Sequence, residues 1–351
     1  RDFDVGLIRL LLALSVLVDH SAPIFGLQLA GGEMAVLSFY AVSGFYMTMI
    51  LSGPYAGRIG DFFRNRFLRL FPMYWAALGL AVVPSIALWI ATAGARAGSL
   101  HAWRQDLASL GPGATLLVCF STPFIFLQEL TYFFAADPAT GSLAPVLDFR
   151  KAAVPLHGFH PVPPSWSLSL ELYFYLLAPW IVRWRIRSIA LLAGSTLLGW
   201  IVLFHGGLGF DPWTYRFFPT SISFFLMGAL SWKIGARHGT RSVPRGIAIA
   251  VWILLLCTIL VWDGGIGTRS IAFVAVLAAS LPTVFRLTRD WKWDRWIGDI
   301  SFPLYLVHWE VFGVLKTQST PVRFAAALAA AAALQLLVGV PVERWRSKVR
   351  H

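Results

Sequence analysis

Charge is scarce in this chain: 13% of its 351 residues are charged, 57% are hydrophobic, and the mean hydropathy is +0.68. Such a balance excludes an ordinary soluble domain, because one soluble core cannot hide that much apolar surface. Cysteine is scarcer still. The two present, Cys119 and Cys257, lie in apolar runs without ligand-like spacing. They exclude a disulfide framework or a thiolate metal centre, and they read as small buried apolar side chains, with no metal expected. Internal repeats, heptad seams and low-complexity tracts are missing too, and the run Ala325 to Ala333 reads as a close-packing helix face. Acids number 17 against 29 Lys and Arg, for a net charge of +12. The basic residues sit in short clusters between apolar runs, as in membrane proteins, so the expected partner is the lipid bilayer and not nucleic acid.

What is abundant is apolar sequence in lengths of about 20 residues, the thickness of a bilayer core. Such runs fall near 5–24, 34–52, 71–93, 166–182, 188–205, 217–232, 246–263, 270–287, 298–315 and 324–342. The expectation is an all-α polytopic membrane protein with about ten transmembrane helices in a single domain over 1–351. With both termini cytoplasmic, 20 of the 29 Lys and Arg lie inside, eight lie outside, and Arg9 lies within the first span. This bias selects that orientation, and the first span, with Arg9, Asp19 and His20, does not read as a cleaved signal peptide. The stretch from Thr115 to Ala135 is apolar enough to cross, but a crossing would send Arg183, Arg185 and Arg187 outside. It reads instead as a re-entrant or surface helix in the outer loop after the third span, which runs from about Gly94 to Ser165.

Arg9 and His20 share the first span. Eleven steps of a helix return to within ~20° of the same face after ~16 Å. Two polar groups on one stripe, each costing at least ~2.5 kcal/mol in the apolar slab, point to a lined cavity. After the second span, Arg66 and Arg69 are three apart at the expected cytoplasmic boundary. They suit phosphate oxygens, or equally an anchor on anionic lipid. The fourth span opens with Trp166-Ser167-Leu168 and carries Glu171, one turn below Ser167. Glu171 reads either as a structural partner of an arginine or as the carboxylate that orients a histidine. In the ninth span Tyr305 and His308 are three apart; His308 is either interfacial, beside Trp309, or a cavity residue. A shared cavity would let His20, Glu171 and His308 meet.

Taken in order, these stretches resemble the acyltransferase 3 family of bacterial integral-membrane acyltransferases. The likeness rests on Arg9 with His20, Phe39-Tyr40-Ala41-Val42-Ser43-Gly44-Phe45, Arg66 to Tyr74, Trp166-Ser167-Leu168 with Glu171, Ser301 to His308, and Glu343. Departures are small: Asp4 lies farther from Arg9 than usual, Phe302 replaces a tyrosine, and Tyr40 a phenylalanine. The resemblance implies transfer of an acyl group, most often acetyl, from cytoplasmic acyl-CoA to a hydroxyl of an extracytoplasmic or lipid-linked glycan, in the bacterial inner membrane. Some relatives append an extracytoplasmic SGNH-type domain. Here none is expected, and any such partner would be a separate protein. A secondary transporter or flippase is the alternative, since many spans with intramembrane charge also describe carriers.

The expected division of labour follows. Arg66 and Arg69 hold CoA phosphates, and Arg9 guides the pantetheine arm. His20 acts as general base or as acyl-carrying nucleophile. Glu171 orients the imidazole, and Ser43, Trp166, Ser167, Tyr305 and His308 support the substrate.

Overall fold

The computed structural model describes residues 5–23, 26–238, 243–262 and 265–348. Asp4 and the terminal Arg1 and Arg350 fall outside them. Each of the ten apolar runs holds a helix: α1 Gly6–Asp19, α2 Gly32–Leu51, α3 Ile59–Ala91, α6 Trp166–Ile181, α7 Ile186–Leu203, α8 Phe218–His238, α9 Arg245–Val261, α10 Thr268–Thr288, α11 Lys292–Val314, and α12 Thr320–Leu334 continued through a π turn by α13 Val340–Lys348. Five of the described helices are long and apolar enough to cross a membrane: α2, α3, α7 with its π extension, α10 and α12 to α13. The other runs hold helices that are shorter or carry more charge, and ten spans stays an expectation. At ~1.5 Å per residue, the 14 residues of α1 reach ~21 Å, short of a ~30 Å apolar core. Helices α8 and α11 have the length but spend it partly on charge, Lys233 and Arg237 in one and Lys292, Asp294, Arg295, Asp299 and Glu310 in the other. The fold remains an all-α membrane architecture.

Glycine sets two of the tight crossings. A Cβ on Gly44 of α2 would stand 1.8 Å from the carbonyl oxygen of Phe225 in α8, and one on Gly6 of α1 would stand 1.7 Å from that of Asp294 in α11. No side chain fits at either place. The start of α1 is also pinned electrostatically: the Asp294 carboxylate accepts from the backbone N–H groups of Gly6, at 2.6 Å, and Leu7, at 2.9 Å. Those donors have no partner inside the helix, so a buried acid there satisfies them and complements the helix dipole. Val5 N–H is held by Thr288 Oγ1 at 3.1 Å, and Lys233 Nζ by the Trp184 carbonyl at 2.7 Å. These contacts gather the start of α1 and α11 with the ends of α8 and α10 on one face.

The long connection forms a folded cap at the opposite end. It contains α4 His101–Asp106, α5 Pro112–Phe124 and a small antiparallel sheet of β1 Phe134–Ala136 between β2 Leu143–Pro145 and β3 Val154–Pro155. The expected helix over Thr115 to Ala135 is therefore only half right. Ile125 and Leu127 take positive φ, of 69° and 68°, and the chain turns away before β1. Ala114, Val118, Leu156 and Phe159 give the cap its own small core. Cys119 and Cys257 are free and exposed, not buried.

Candidate active site

A narrow cavity of about 110 Å³ runs between α1, α2, α3, α6 and α11, lined by Arg9, Ser43, Arg69, Ser167, Glu171 and Tyr305 among its polar groups. Residues from five of the sequence motifs thus meet around one cavity, whereas His20 and His308, expected to share it with Glu171, do not line it. A second, smaller cavity of about 60 Å³ shares Arg69 and Phe302 with the first and adds Asp299, Gln335, Glu343 and Arg346. Arg69 stands at the junction. Its charge lies within electrostatic reach of Arg346, Arg9, Asp299 and Arg66. Arg346 is buried and bridges to Glu343 at 2.7 Å, which gives the terminal glutamate a place at the mouth of the route.

The structure places Arg66 and Arg69 differently. Arg69 lines both cavities, whereas Arg66 is 2% exposed, lines neither, and donates to its neighbour Asn65. Glu171 also departs from expectation. Its Oε1 accepts from the Ser43 hydroxyl at 2.8 Å and from the Tyr175 hydroxyl, so it serves the cavity wall and does not orient the imidazole of His20.

That imidazole has another partner. His20 follows directly on α1, and its Nδ1 lies 3.1 Å from Nε2 of His308 on α11. The two ring planes are near parallel, 16° apart, with centroids 5.2 Å apart, so the rings meet edge to edge through these nitrogens, and the Trp309 indole meets His20 edge-on at 5.1 Å. His308 Nδ1 is 2.8 Å from the Tyr305 carbonyl, and Tyr305 is a cavity residue. One turn of α11 therefore connects the cavity to the histidine pair. The Tyr305 hydroxyl donates to the Pro164 carbonyl at 3.0 Å and meets Ser167 Oγ at 2.8 Å, tying α11 to the start of α6.

Trp166 does not offer its ring face to a substrate, because Arg216 occupies it, with Cζ 3.9 Å from the ring centre. The same guanidinium lies 4.0 Å from the Tyr132 ring and binds Asp211 through Nε at 2.5 Å and Nη2 at 3.0 Å. This buried clamp was missed in the sequence, where Arg216 counts only as an outer-loop charge. Behind it, His157 stacks on Tyr132 at 5.0 Å. Burial, aided by the charge of Arg216, pushes the His157 imidazole down to about 4, and burial pushes His160 down to about 3, so both cap histidines are neutral near pH 7. Gln128 is another missed residue. Its amide donates to the Tyr74 hydroxyl at 3.1 Å and accepts from Ser165 at 2.6 Å, fastening the cap to α3 and α6. Among the described residues no group of three metal-ligating side chains converges.

The structure is thus a helical membrane protein with a cavity that carries Arg9, Arg69 and Glu171 on largely apolar walls, while the His20–His308 pair lies outside that lining, one turn of α11 beyond Tyr305. Comparison with known proteins gives the family: the acyltransferase 3 model, described as an acyltransferase domain, matches residues 2–342, and the chain belongs to that family. It is 26% identical over 328 residues to a putative peptidoglycan O-acetyltransferase, YrhL, of Bacillus subtilis, covering 84% of this chain and 45% of that one. It is 22% identical over 318 residues to the O-acetyltransferase OatA of Staphylococcus aureus, covering 81% and 46%. An uncharacterised protein of Aquifex aeolicus is 24% identical over 202 residues, 54% of this chain and 90% of that one. The chain thus spans about half the length of the two O-acetyltransferases it matches. No solved structure matches it.

Proposed function

We propose that the protein is an O-acyltransferase of the bacterial inner membrane that moves an acetyl group from cytoplasmic acetyl-CoA to a hydroxyl of a saccharide or glycolipid on the opposite side. The observation that carries this reading is the arrangement itself. Two cavities share Arg69 and Phe302, the larger carries Arg9, Glu171 and Tyr305, and the Tyr305 carbonyl holds His308, outside both linings, beside His20. The family match and the names of the two acetyltransferases support the acyl chemistry.

In this reading Arg69, with Arg346 beside it, meets the phosphates of the donor, since guanidinium forks match phosphate oxygens. Arg9 steadies the donor farther in, while Arg66 supports the wall from within the protein. Only an extended chain suits a cavity this narrow, and a pantetheine arm is such a chain. His20 takes the proton of the acceptor hydroxyl as its oxygen bonds to the thioester carbonyl carbon. The carbon–sulfur bond then breaks, and the departing sulfur takes that proton back from the imidazole. Purified protein in nanodiscs, given labelled acetyl-CoA and mixed cell-envelope glycans, tests this directly. Release of CoA with label on glycan in wild type, absent in His20→Ala, is the expected result. Equal transfer by His20→Ala would remove His20 from the chemistry.

A further inference from the structure

Building on the reading of His20 as the group that takes the acceptor's proton, we propose that His308 is the positioning residue that decides which nitrogen of His20 is the base: Nε2. His308 is completely buried, and both of its ring nitrogens have partners of known character. Nδ1 faces the Tyr305 carbonyl oxygen at 2.8 Å. A carbonyl oxygen has no hydrogen to give, so the proton of this contact sits on Nδ1. In the neutral ring Nε2 then holds a lone pair and can only accept.

That Nε2 faces Nδ1 of His20 at 3.1 Å. The contact is a hydrogen bond only when His20 carries its proton on Nδ1, which leaves the lone pair of His20 on Nε2. The opposite arrangement, with His308 protonated on Nε2 alone, would set two lone pairs against each other at the Tyr305 carbonyl. A doubly protonated His308 would donate to His20 Nδ1 and force the His20 proton onto Nε2, removing the base. Enclosure between Tyr305 and Phe312, whose ring centres lie 6.1 Å and 5.9 Å away, works against that charged form.

The bland reading of His308 is a buried histidine with its bonds satisfied. It differs in having no consequence for the state of His20. Here one backbone carbonyl, acting through His308, sets the tautomer of a ring on another helix, 288 residues away in sequence. While the acceptor proton passes to His20 Nε2 and on to the leaving sulfur, the Nδ1 proton stays shared with His308. The resulting imidazolium is therefore stabilised where it forms.

Selective ¹⁵N-histidine labelling of the full chain in nanodiscs, at a pH where the rings are neutral, reads the tautomer. The His20 signals are identified by their loss in His20→Ala. The expected pattern is a proton on Nδ1 and a bare Nε2 in wild type, turning to the Nε2-protonated form in His308→Phe. That variant is expected to lose about 10- to 1,000-fold in kcat with an unchanged KM for acetyl-CoA, less than the ~10⁴-fold that a wrong histidine tautomer costs in the serine-protease triad. His308→Gln, whose amide oxygen reaches the position of Nε2 and accepts, is expected to recover most of that loss. A proton on Nε2 of His20 in wild type, or full activity in His308→Phe, would overturn the assignment. If His308→Phe does not fold, the wild-type tautomer and His308→Gln still decide. Transfer retained by His20→Ala would instead defeat the base reading, whatever the tautomer.

Discussion

Arg69 and Arg216 are the same residue in two opposite employments. Arg216 is pressed between the Trp166 and Tyr132 rings, with its fork committed to Asp211. Arg69 is shared by the linings of two cavities, with the cations Arg346, Arg9 and Arg66 and the acid Asp299 near it. A guanidinium enclosed by rings and a carboxylate holds the fold together, whereas one that shares a cavity wall with other cations favours an anionic visitor. The difference teaches that surroundings, not residue type, set the task of an arginine here: Arg216 is enclosed by its partners in the cap, while Arg69 lines cavity walls and, in the proposed function, meets the donor.

The sharpest way to break this comparison is at the far end of the route. His20→Ala is expected to lower transfer by three orders of magnitude or more, to the background rate of acetyl-CoA hydrolysis, while acetyl-CoA binding by the variant stays intact; label-transfer assays and equilibrium dialysis measure the two. Next comes the clamp. Arg216→Gln removes the nearer of the two arginine partners of Asp211, leaving Arg150 at 3.5 Å, and should cost about 3 kcal/mol of stability, read as a lower Tm and lower yield. The folded fraction of that variant is expected to keep the wild-type KM for acetyl-CoA. Arg69→Ala should do the reverse, raising that KM by about tenfold with little change in Tm, as expected for a charged hydrogen-bonding group that meets the ligand. Arg66→Ala sharpens the contrast: as a residue that lines neither cavity, it should behave like Arg216 and lower Tm more than it changes KM.

The smallest effect is one of pH, and it belongs to the cap. His160 is held neutral by burial, from an ordinary 6.5 down to about 3. The unfolded chain takes up this proton first, so its contribution to stability is complete above about pH 6.5 and is lost progressively as pH falls toward about 3. Wild type should therefore lose Tm between about pH 7 and about pH 4, and His160→Gln should lose less over the same interval. An equal slope in both would place the acid sensitivity elsewhere.

Much of this was legible in the sequence. Apolar runs mark the helices because a bilayer imposes length, and polar groups in apolar settings point to Arg9, Ser43, Arg69, Ser167, Glu171 and Tyr305, which line the cavity, though equally to His20, Arg66, Trp166 and His308, which do not. What was not legible depends on long-range packing. Arg66 and Arg69 are three apart and look equivalent; only the packing of α3 against α11 and α13 gives one the cavity and buries the other. Glu171 sits on the right wall, but its partners Ser43 and Tyr175 are chosen by the tight α2–α8 crossing at Gly44 and by its own helix. That His20 and His308 come together was expected, but without Glu171 and with no sign of their direct bond, and the Arg216 clamp joins residues in an irregular loop, where no periodicity points to it. The short α1 and the small sheet of the cap escaped for a similar reason. Hydropathy reports burial, whether a helix is surrounded by lipid or by other helices.

The central claim is that a donor entering at Arg69 is used by His20 at the other end. Proteoliposomes with the protein in one known orientation, given labelled acetyl-CoA only on the side where α1 begins and a glycan acceptor only on the side of the cap, test it most directly. The expected result is label on the acceptor across the membrane, lost in His20→Ala and restored in Arg69→Ala by raising the donor concentration. Label reaching the acceptor only when both substrates share one side, or transfer indifferent to both residues, would contradict the account.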